Sequence, residues 1–230
     1  MWVAECALKY AQLVLFPIHK AVVSMSQEVK NIDLIIAGVG GQGNILASQL
    51  IGITAIKAGL RVKISETLGQ SQRGGPVFSH VRIGREVHSP LIQRGSCHVL
   101  LGFEPLEALR VAIKYVSPNG IVITNTRTVI PIDVSIGRTS YPEVEKIIES
   151  LKRLAKKVFT LDATELAIKA GNPLMMNTVM LGALAATNEL PFPAELLKET
   201  VKEQTPRYTE MNLRAFDLGL AAIGSARGRN

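Results

Sequence analysis

Two polar, glycine-rich stretches carry the residue types best suited to bind an anion or another chain. The first, residues 34–43, runs from a short apolar strand into a turn that fits G-x-G-x-x-G. Glycines let such a turn bend tightly and let a ligand approach the main chain, while the following helix points free N–H groups at any anion. The turn therefore predicts a loop that faces an anion or a partner, with tight strand–helix packing as the alternative. Its candidate residues are Gly38, Gly40, Gly41, Gln42 and Gly43.

The second stretch, residues 66–76, begins where a second strand is expected to end. Glu66 is an acid at the strand end, as a dinucleotide site would require. Arg73 offers fixed, paired donors for a carboxylate or phosphate, although a solvated loop arginine is the alternative. In an open α/β sheet the two loops are expected to lie together at the carboxyl ends of adjacent strands. The candidate residues of this second loop are Glu66, Gly69, Ser71, Gln72, Arg73, Gly74 and Gly75.

The remaining titratable residues do not form a catalytic set. His80 and Arg82 share one face of a predicted strand, where His80 could titrate near neutral pH or simply lie at a surface or interface. No histidine lies near Ser71 in sequence to activate it as a nucleophile. No H-E-x-x-H, paired-acid or metal-ligand spacing occurs. We expect a ligand- or partner-facing edge without catalytic residues or a metal of its own.

Composition narrows the class of protein. The chain has 230 residues, a net charge of +7 and 47% hydrophobic residues, enough for one sizeable α/β domain. Basic residues are scattered and aromatics make up only 5%, so acidic metabolites fit the charge better than nucleic acid does. Cys6 and Cys97 are the only cysteines, which predicts no disulfide framework, zinc site or iron–sulfur cluster within the chain and a reducing cytoplasm. No apolar run reaches the roughly 18 residues that span a bilayer.

Hydrophobic periodicity predicts a three-layer α/β/α, Rossmann-like fold with a mostly parallel sheet. One antiparallel hairpin is expected near His80 to His88, with a half-exposed strand at 77–83 and a short second strand around Val87 and His88. Residues 1–24 are predicted to be an extension to a single domain over 25–230. This extension is either a translation start placed too early or an arm that packs on a partner, and the first is favoured. Strands are predicted at 33–37, 60–65, 77–83, 97–101, 121–125 and 158–161, and helices at 42–58, 104–115, 143–156, 163–169, 178–186, 193–203 and 212–223.

These motifs together resemble the gamma-type domain of 2-oxoacid:ferredoxin oxidoreductases. The resemblance begins with the glycine turn, Glu66, the loop 69–75 and the strand 79–84. It continues downstream, where the pattern is most similar to the beta subunit of indolepyruvate ferredoxin oxidoreductase, and it covers about residues 33–219. The downstream stretches are 102–109, 124–125, 161–163, 170–172, 177, 181–183, 212, 215–216 and 218–219.

The resemblance implies a chemistry that this chain does not carry alone. In such complexes thiamine diphosphate attacks a 2-oxoacid, electrons pass through 4Fe-4S clusters to ferredoxin, and coenzyme A takes the acyl group. A large alpha subunit holds the thiamine diphosphate and the clusters, and the gamma-type domain helps to enclose the active site and the coenzyme A path. This chain would then hold no cofactor itself and be inactive alone.

Two other classes of protein stay open at this point. One is an independent NAD(P)- or flavin-linked dehydrogenase, and the other is a non-catalytic regulatory subunit. The sequence also leaves open which 2-oxoacid is used, the stoichiometry of the complex, whether the isolated chain forms a homodimer, and whether Arg73 contacts coenzyme A or the partner.

Overall fold

The protein is built around one six-stranded sheet. The computed structural model describes residues 31–66, 75–130, 132–138 and 140–227. The predicted extension 1–24 and the loop residues Gly69, Ser71, Gln72, Arg73 and Gly74 therefore lie outside the described part of the chain. The strands are β1 (Ile32–Val39), β2 (Arg61–Glu66), β3 (Pro76–Gly84), β4 (Cys97–Gly102), β5 (Val116–Asn125) and β6 (Lys157–Leu161).

Helices follow β1, β4, β5 and β6 in sequence, whereas no helix among the described residues separates β2, β3 and β4. Two further single turns of 3-10 helix lie at Pro173–Met175 and Pro206–Tyr208. The α-helices are α1 (Asn44–Lys57), α2 (Pro105–Tyr115), α3 (Ile132–Ser135), α4 (Val144–Leu154), α5 (Ala163–Ala170), α6 (Met176–Ala186), α7 (Ala194–Gln204) and α8 (Thr209–Arg227).

The strand order is β2-β3-β1-β4-β5-β6, and only β3 runs against its neighbours. The mostly parallel sheet with one antiparallel hairpin is thus confirmed. The hairpin is formed by β2 and β3, however, and the prediction of a strand around Val87 and His88 is wrong. The Arg82 guanidinium donates to the carbonyls of Ser89 at 3.2 Å and Leu91 at 3.5 Å, which holds this segment in a non-strand conformation over the sheet.

Both faces of the sheet are covered, and β1 is buried along all eight of its residues. Helices α1 and α5 to α8 pack on one face, and α2 and α4 pack on the other. The prediction that β3 is half-exposed is therefore wrong, since Ser79, His80, Val81 and Ile83 are all buried. A period-two pattern shows which residues share a face, but not whether distant helices cover both faces.

The Ala/Gly-rich helix α6 packs tightly against α8. A Cβ built on Gly182 would lie 2.0 Å from the carbonyl oxygen of Phe216, and one on Gly219 would lie 1.9 Å from that of Val179. The two backbones thus touch directly, which only glycine permits. This contact places the first residues of α6 beneath the glycine turn that follows β1.

Candidate functional site

The glycine turn joins the end of β1 to α1 and needs glycine at two positions. Gly41 has φ +100° and is exposed, and no described residue lies within 4 Å of where its Cβ would be. Gly43 has φ +84° and precedes α1 without a side-chain cap, so the first N–H groups of the helix have no side-chain acceptor from that residue. A Cβ on Gly43 would lie 2.4 Å from Nδ2 of Asn177. The turn is therefore open at Gly41 and closely packed at Gly43.

Gln42 fills the crevice between the ends of β1 and β4. Its Oε1 accepts a hydrogen bond from the Val39 N–H at 2.7 Å, and its Nε2 donates to the Phe103 carbonyl at 3.2 Å. A Cβ on Gly38 would lie 2.6 Å from that Oε1, so glycine at 38 makes room for the glutamine. These neighbouring strands are followed by helices on opposite faces, which marks the switch point where open α/β sheets usually bind ligands. Here a side chain of the protein itself occupies that crevice.

Asn125 extends the same network to the end of β5. Its Nδ2 donates to the Phe103 carbonyl at 3.2 Å, and its Oδ1 accepts from the Ala163 N–H at 3.0 Å and the Arg127 N–H at 3.3 Å. Gln42 and Asn125 thus tie the carboxyl ends of three strands together. We expect this edge to be rigid because each amide bridges buried backbone groups.

Two further asparagines support the turn from below. Asn44 is buried, and its Nδ2 donates to the Val77 carbonyl at the start of β3 at 3.4 Å, while its Oδ1 has no partner among the described residues. Asn177 accepts the Thr178 N–H at 2.8 Å, and Thr178 donates to Asn212 at 2.7 Å. Sequence reasoning did not select Asn44 or Asn177 as site residues. The signal in the sequence was an asparagine at the first position of α1 and another at the second position of α6, two helices that are otherwise mostly apolar.

The second loop meets the first where both return to the sheet. The Gly40 N–H donates to the Gly75 carbonyl at 2.9 Å. Glu66 ends β2 and accepts from the Ser48 hydroxyl of α1 at 3.4 Å. The two loops thus share the carboxyl edge, but the prediction of adjacent strands is wrong because β3 lies between β1 and β2.

His80 lies away from this edge, in the middle of β3. It is 3% exposed, its Nδ1 accepts the Ile92 N–H at 3.4 Å, and its ring meets those of Phe78 and Tyr115 edge-on. Burial lowers the pKa of His80 below 6.5, and the Asp33 carboxylate acts against that effect. The histidine packs against two aromatic rings and holds the segment after β3 through the Ile92 N–H.

Arg82 is still farther from the turn, opposite Asp33 near the start of β1. Its guanidinium contacts both carboxylate oxygens of Asp33, at 2.7 and 3.3 Å. The guanidinium of Arg82 is thus engaged by the Asp33 carboxylate and by two backbone carbonyls, which gives this arginine a structural role. The structure therefore does not bring His80 and Arg82 together with the glycine turn.

Glu104 is a buried carboxylate at the carboxyl edge that sequence reasoning did not select. It caps α2 by accepting the Glu107 N–H at 2.9 Å, and it accepts the Tyr141 hydroxyl at 2.5 Å. Burial, followed by that hydrogen bond, raises the pKa of Tyr141 above its ordinary value. Burial also raises the pKa of the neighbouring Glu107, since Arg110 only partly offsets the loss of solvent. The Glu104 carboxylate thus ties the segment after β5 to the site edge.

Within the described residues, no three histidine, cysteine, aspartate or glutamate side chains are grouped to hold a metal ion. In that same part of the chain, no helix is both long and apolar enough to cross a membrane.

Comparison with known proteins places these features in one family. Residues 33–222 match the family model described as pyruvate ferredoxin/flavodoxin oxidoreductase. The chain is 41% identical over 200 residues to the indolepyruvate oxidoreductase subunit IorB of Pyrococcus horikoshii, covering 84% of this chain and 96% of that protein.

Solved structures share the fold. The gamma subunit of a keto/oxoacid ferredoxin oxidoreductase from Geobacter sulfurreducens superposes with a TM-score of 0.61 at 22% identity, over 84% of this chain and 99% of that chain. The 2-oxoglutarate:ferredoxin oxidoreductase of Magnetococcus marinus superposes with a TM-score of 0.64 at 22% identity, over 86% of this chain but only 32% of that longer chain. The resemblance to gamma-type domains is thereby confirmed, and this chain belongs to the pyruvate ferredoxin/flavodoxin oxidoreductase family.

Proposed function

We propose that this chain is the small subunit of a 2-oxoacid:ferredoxin oxidoreductase that depends on thiamine diphosphate and iron–sulfur clusters. Its substrate is an aryl 2-oxoacid, indolepyruvate in the first instance, which the complex converts to the acyl-CoA. One observation carries this proposal, namely the 41% identity to an indolepyruvate oxidoreductase subunit over 96% of that subunit's length.

The proposal assigns thiamine diphosphate and the 4Fe-4S clusters to a large alpha subunit, and ferredoxin to the same complex. Cys97, the cysteine within the described residues, does not fit a cluster ligand. It is fully buried, its thiol donates to the Val99 carbonyl at 3.1 Å, and burial raises its pKa to about 12. An iron–sulfur cluster is held by several cysteine thiolates, whereas Cys97 is the single cysteine of the described residues and its thiol is bonded to a backbone carbonyl.

The carboxyl edge is the surface that we assign to the large subunit and the coenzyme A path. Gly41 is open to solvent, and the first turn of α1 beside it exposes Ile45 to 46% and Leu46 to 38%. Exposed apolar side chains at the first turn of a helix suit a surface that another chain covers, and a helix N-terminus attracts an anion. The residues of this chain would position and enclose the reactants, and the partner would supply the reacting groups.

The geometry favours this assignment over a dinucleotide-linked dehydrogenase. Gln42 already occupies the switch-point crevice of the sheet. Glu66 lies two strand spacings from β1, about 10 Å, whereas a dinucleotide site places its acid on the strand next to the glycine turn. A non-catalytic regulatory subunit would be favoured if the complex stayed fully active without this chain.

Affinity purification of the tagged chain from its source tests the proposal. We expect a large subunit that contains thiamine diphosphate and iron–sulfur clusters to copurify with it. Recovery of the chain alone, or with bound nicotinamide or flavin that absorbs in the ultraviolet, would contradict the proposal.

The loop 69–76 is the second part of the proposed edge, and Arg73 tests its role. Loss of a buried charge-assisted hydrogen bond typically costs about 2–5 kcal/mol, against no more than about 1 kcal/mol for an exposed pair. We expect Arg73→Ala to weaken coenzyme A use or subunit association at least tenfold, with the fold of the isolated chain unchanged. Arg94→Ala, at an exposed position before β4, is the matched control. If neither binding constant changes as much as threefold, Arg73 is a solvated loop residue.

A further inference from the structure

The outer edge of β2 has no strand partner among the described residues. β2 is the first strand of the sheet and pairs only with β3 among the described strands, so one side of its backbone has no ladder partner there. Such an edge can accept a strand from another chain, and proteins commonly protect it with charged side chains. The surroundings of β2 decide between these two roles.

A hollow of about 420 Å³ lies beside this edge, at the end of β2 away from the glycine turn. Its apolar lining includes Leu60, Val87 and Ile56, and Ile56 is 64% exposed. Val87 is buried, and Arg82 fixes the segment after it through two backbone carbonyls. The lining of the hollow is therefore fixed by contacts within the fold, and part of its apolar surface is exposed to solvent.

The charged lining of the hollow is positive. Arg61 and Lys63 line it, and they share one face of β2 because they are two residues apart. The imidazole of His88 also lines the hollow. Neither cation has a carboxylate within 4.0 Å among the ion pairs of the described residues. The residue opposite Lys63 on β3 is Arg82, which is also a cation.

The nearest acidic side chains do not neutralise the positive charge that lines the hollow. Asp33 is held by Arg82, and Glu203 near the end of α1 is held by Lys57. Glu86 is exposed on the segment of His88 but does not line the hollow, and Glu66 lies at the other end of β2. A partner with acidic side chains would supply what this edge lacks.

We propose that the outer edge of β2 pairs with an extended, acidic segment of the large subunit, which adds a seventh strand to the sheet. The identity of the partner rests on the proposed function. Backbone groups of β2 would bind the segment, Arg61 and Lys63 would bind its carboxylates, and one apolar side chain would enter the hollow. A second copy of this chain is a poorer occupant because it presents the same cations and carries a net charge of +7.

The test compares two charge-reversed variants in binding to the large subunit. Arg61→Glu combined with Lys63→Glu removes the proposed contacts, whereas Lys152→Glu with Arg153→Glu makes the same change in charge at exposed positions of α4. We expect the β2 variant to bind at least tenfold more weakly in low salt and the α4 variant to bind within about twofold of wild type. Hydrogen exchange at residues 61–66 should slow when the wild-type complex forms.

Each other outcome overturns the inference. Equal binding by both variants, or unchanged exchange in β2, means that the cations only protect the edge. Loss of self-association in the β2 variant alone, measured by sedimentation, assigns the edge to a second copy. If the wild-type complex forms and any of these results is obtained, this inference is refuted but the proposed function still stands. Failure of the wild-type chain to bind the large subunit refutes both.

Discussion

The contact between Gly43 and Asn177 gives the sharpest test of how the glycine turn is built. We consider Gly43→Ala, with Gly41→Ala as its matched control. Both glycines have positive φ, of +84° and +100°, so both alanines would adopt a left-handed conformation. Among the described residues only Gly43 of the two faces a neighbour, since its Cβ would lie 2.4 Å from Nδ2 and 3.2 Å from Cγ of Asn177.

The expected costs differ for this reason. A left-handed alanine costs roughly 1–2 kcal/mol, and that is the whole cost expected at Gly41. At Gly43 the Asn177 amide must also move, although it is buried and accepts the Thr178 N–H at 2.8 Å. Overpacking of this kind typically adds about 1–3 kcal/mol. We therefore expect Gly43→Ala to lower the free energy of unfolding by about 2–5 kcal/mol.

A double-mutant cycle isolates the contact. Urea unfolding would be measured for Gly43→Ala, Asn177→Ala, both together and wild type. Removing the amide should reduce the cost of Gly43→Ala to that of Gly41→Ala, which gives a coupling energy of about 1–3 kcal/mol. A coupling energy indistinguishable from zero would show that Gly43 and Asn177 do not press on one another, and the geometry given for the turn would be incorrect.

Three further substitutions test other parts of the fold. Gln42→Leu leaves one buried backbone N–H without its acceptor, and we expect a loss of about 1–3 kcal/mol in urea unfolding; an unchanged midpoint would contradict the role given to the amide. Burial lowers the pKa of His80, so the unfolded chain binds the proton more readily and wild type should lose stability as pH falls below about 6.5. His80→Gln should lack that loss while the exposed His88→Gln retains it, and equal slopes between pH 7 and 5 for all three proteins would be the contrary result. Gly182→Ala should cost about 3 kcal/mol or more because its Cβ meets a backbone carbonyl, whereas Gly224→Ala on the open side of α8 should be neutral or stabilising, and similar melting temperatures for the two would refute the close helix contact.

Local patterns predicted the parts of the fold that local interactions determine. The strand β1, its glycine turn and helix α1 follow one another in sequence, so their apolar run and turn glycines were sufficient. The alanines and glycines of α6 likewise indicate a closely packed helix. What the pattern could not show was the partner of each buried polar group.

Long-range contacts account for the parts that were missed. Arg82 binds Asp33, 49 positions earlier, and thereby holds the segment after β3 where a strand was predicted. Gln42 reaches Phe103, 61 positions later, to fill the switch-point crevice. Asn177 acquires its role only because α6 packs beneath a turn more than a hundred residues earlier in the chain. The periodicity of the local sequence gives no sign of any of these contacts.

The most direct test of the proposed function is a titration of the purified large subunit with this chain. Oxidation of indolepyruvate with coenzyme A and a low-potential electron acceptor would be followed at increasing amounts of the chain. We expect neither protein to turn over alone, and activity to rise in proportion to added chain until it saturates at a fixed ratio. Steady turnover by this chain alone, or full activity of the large subunit without it, would contradict the account.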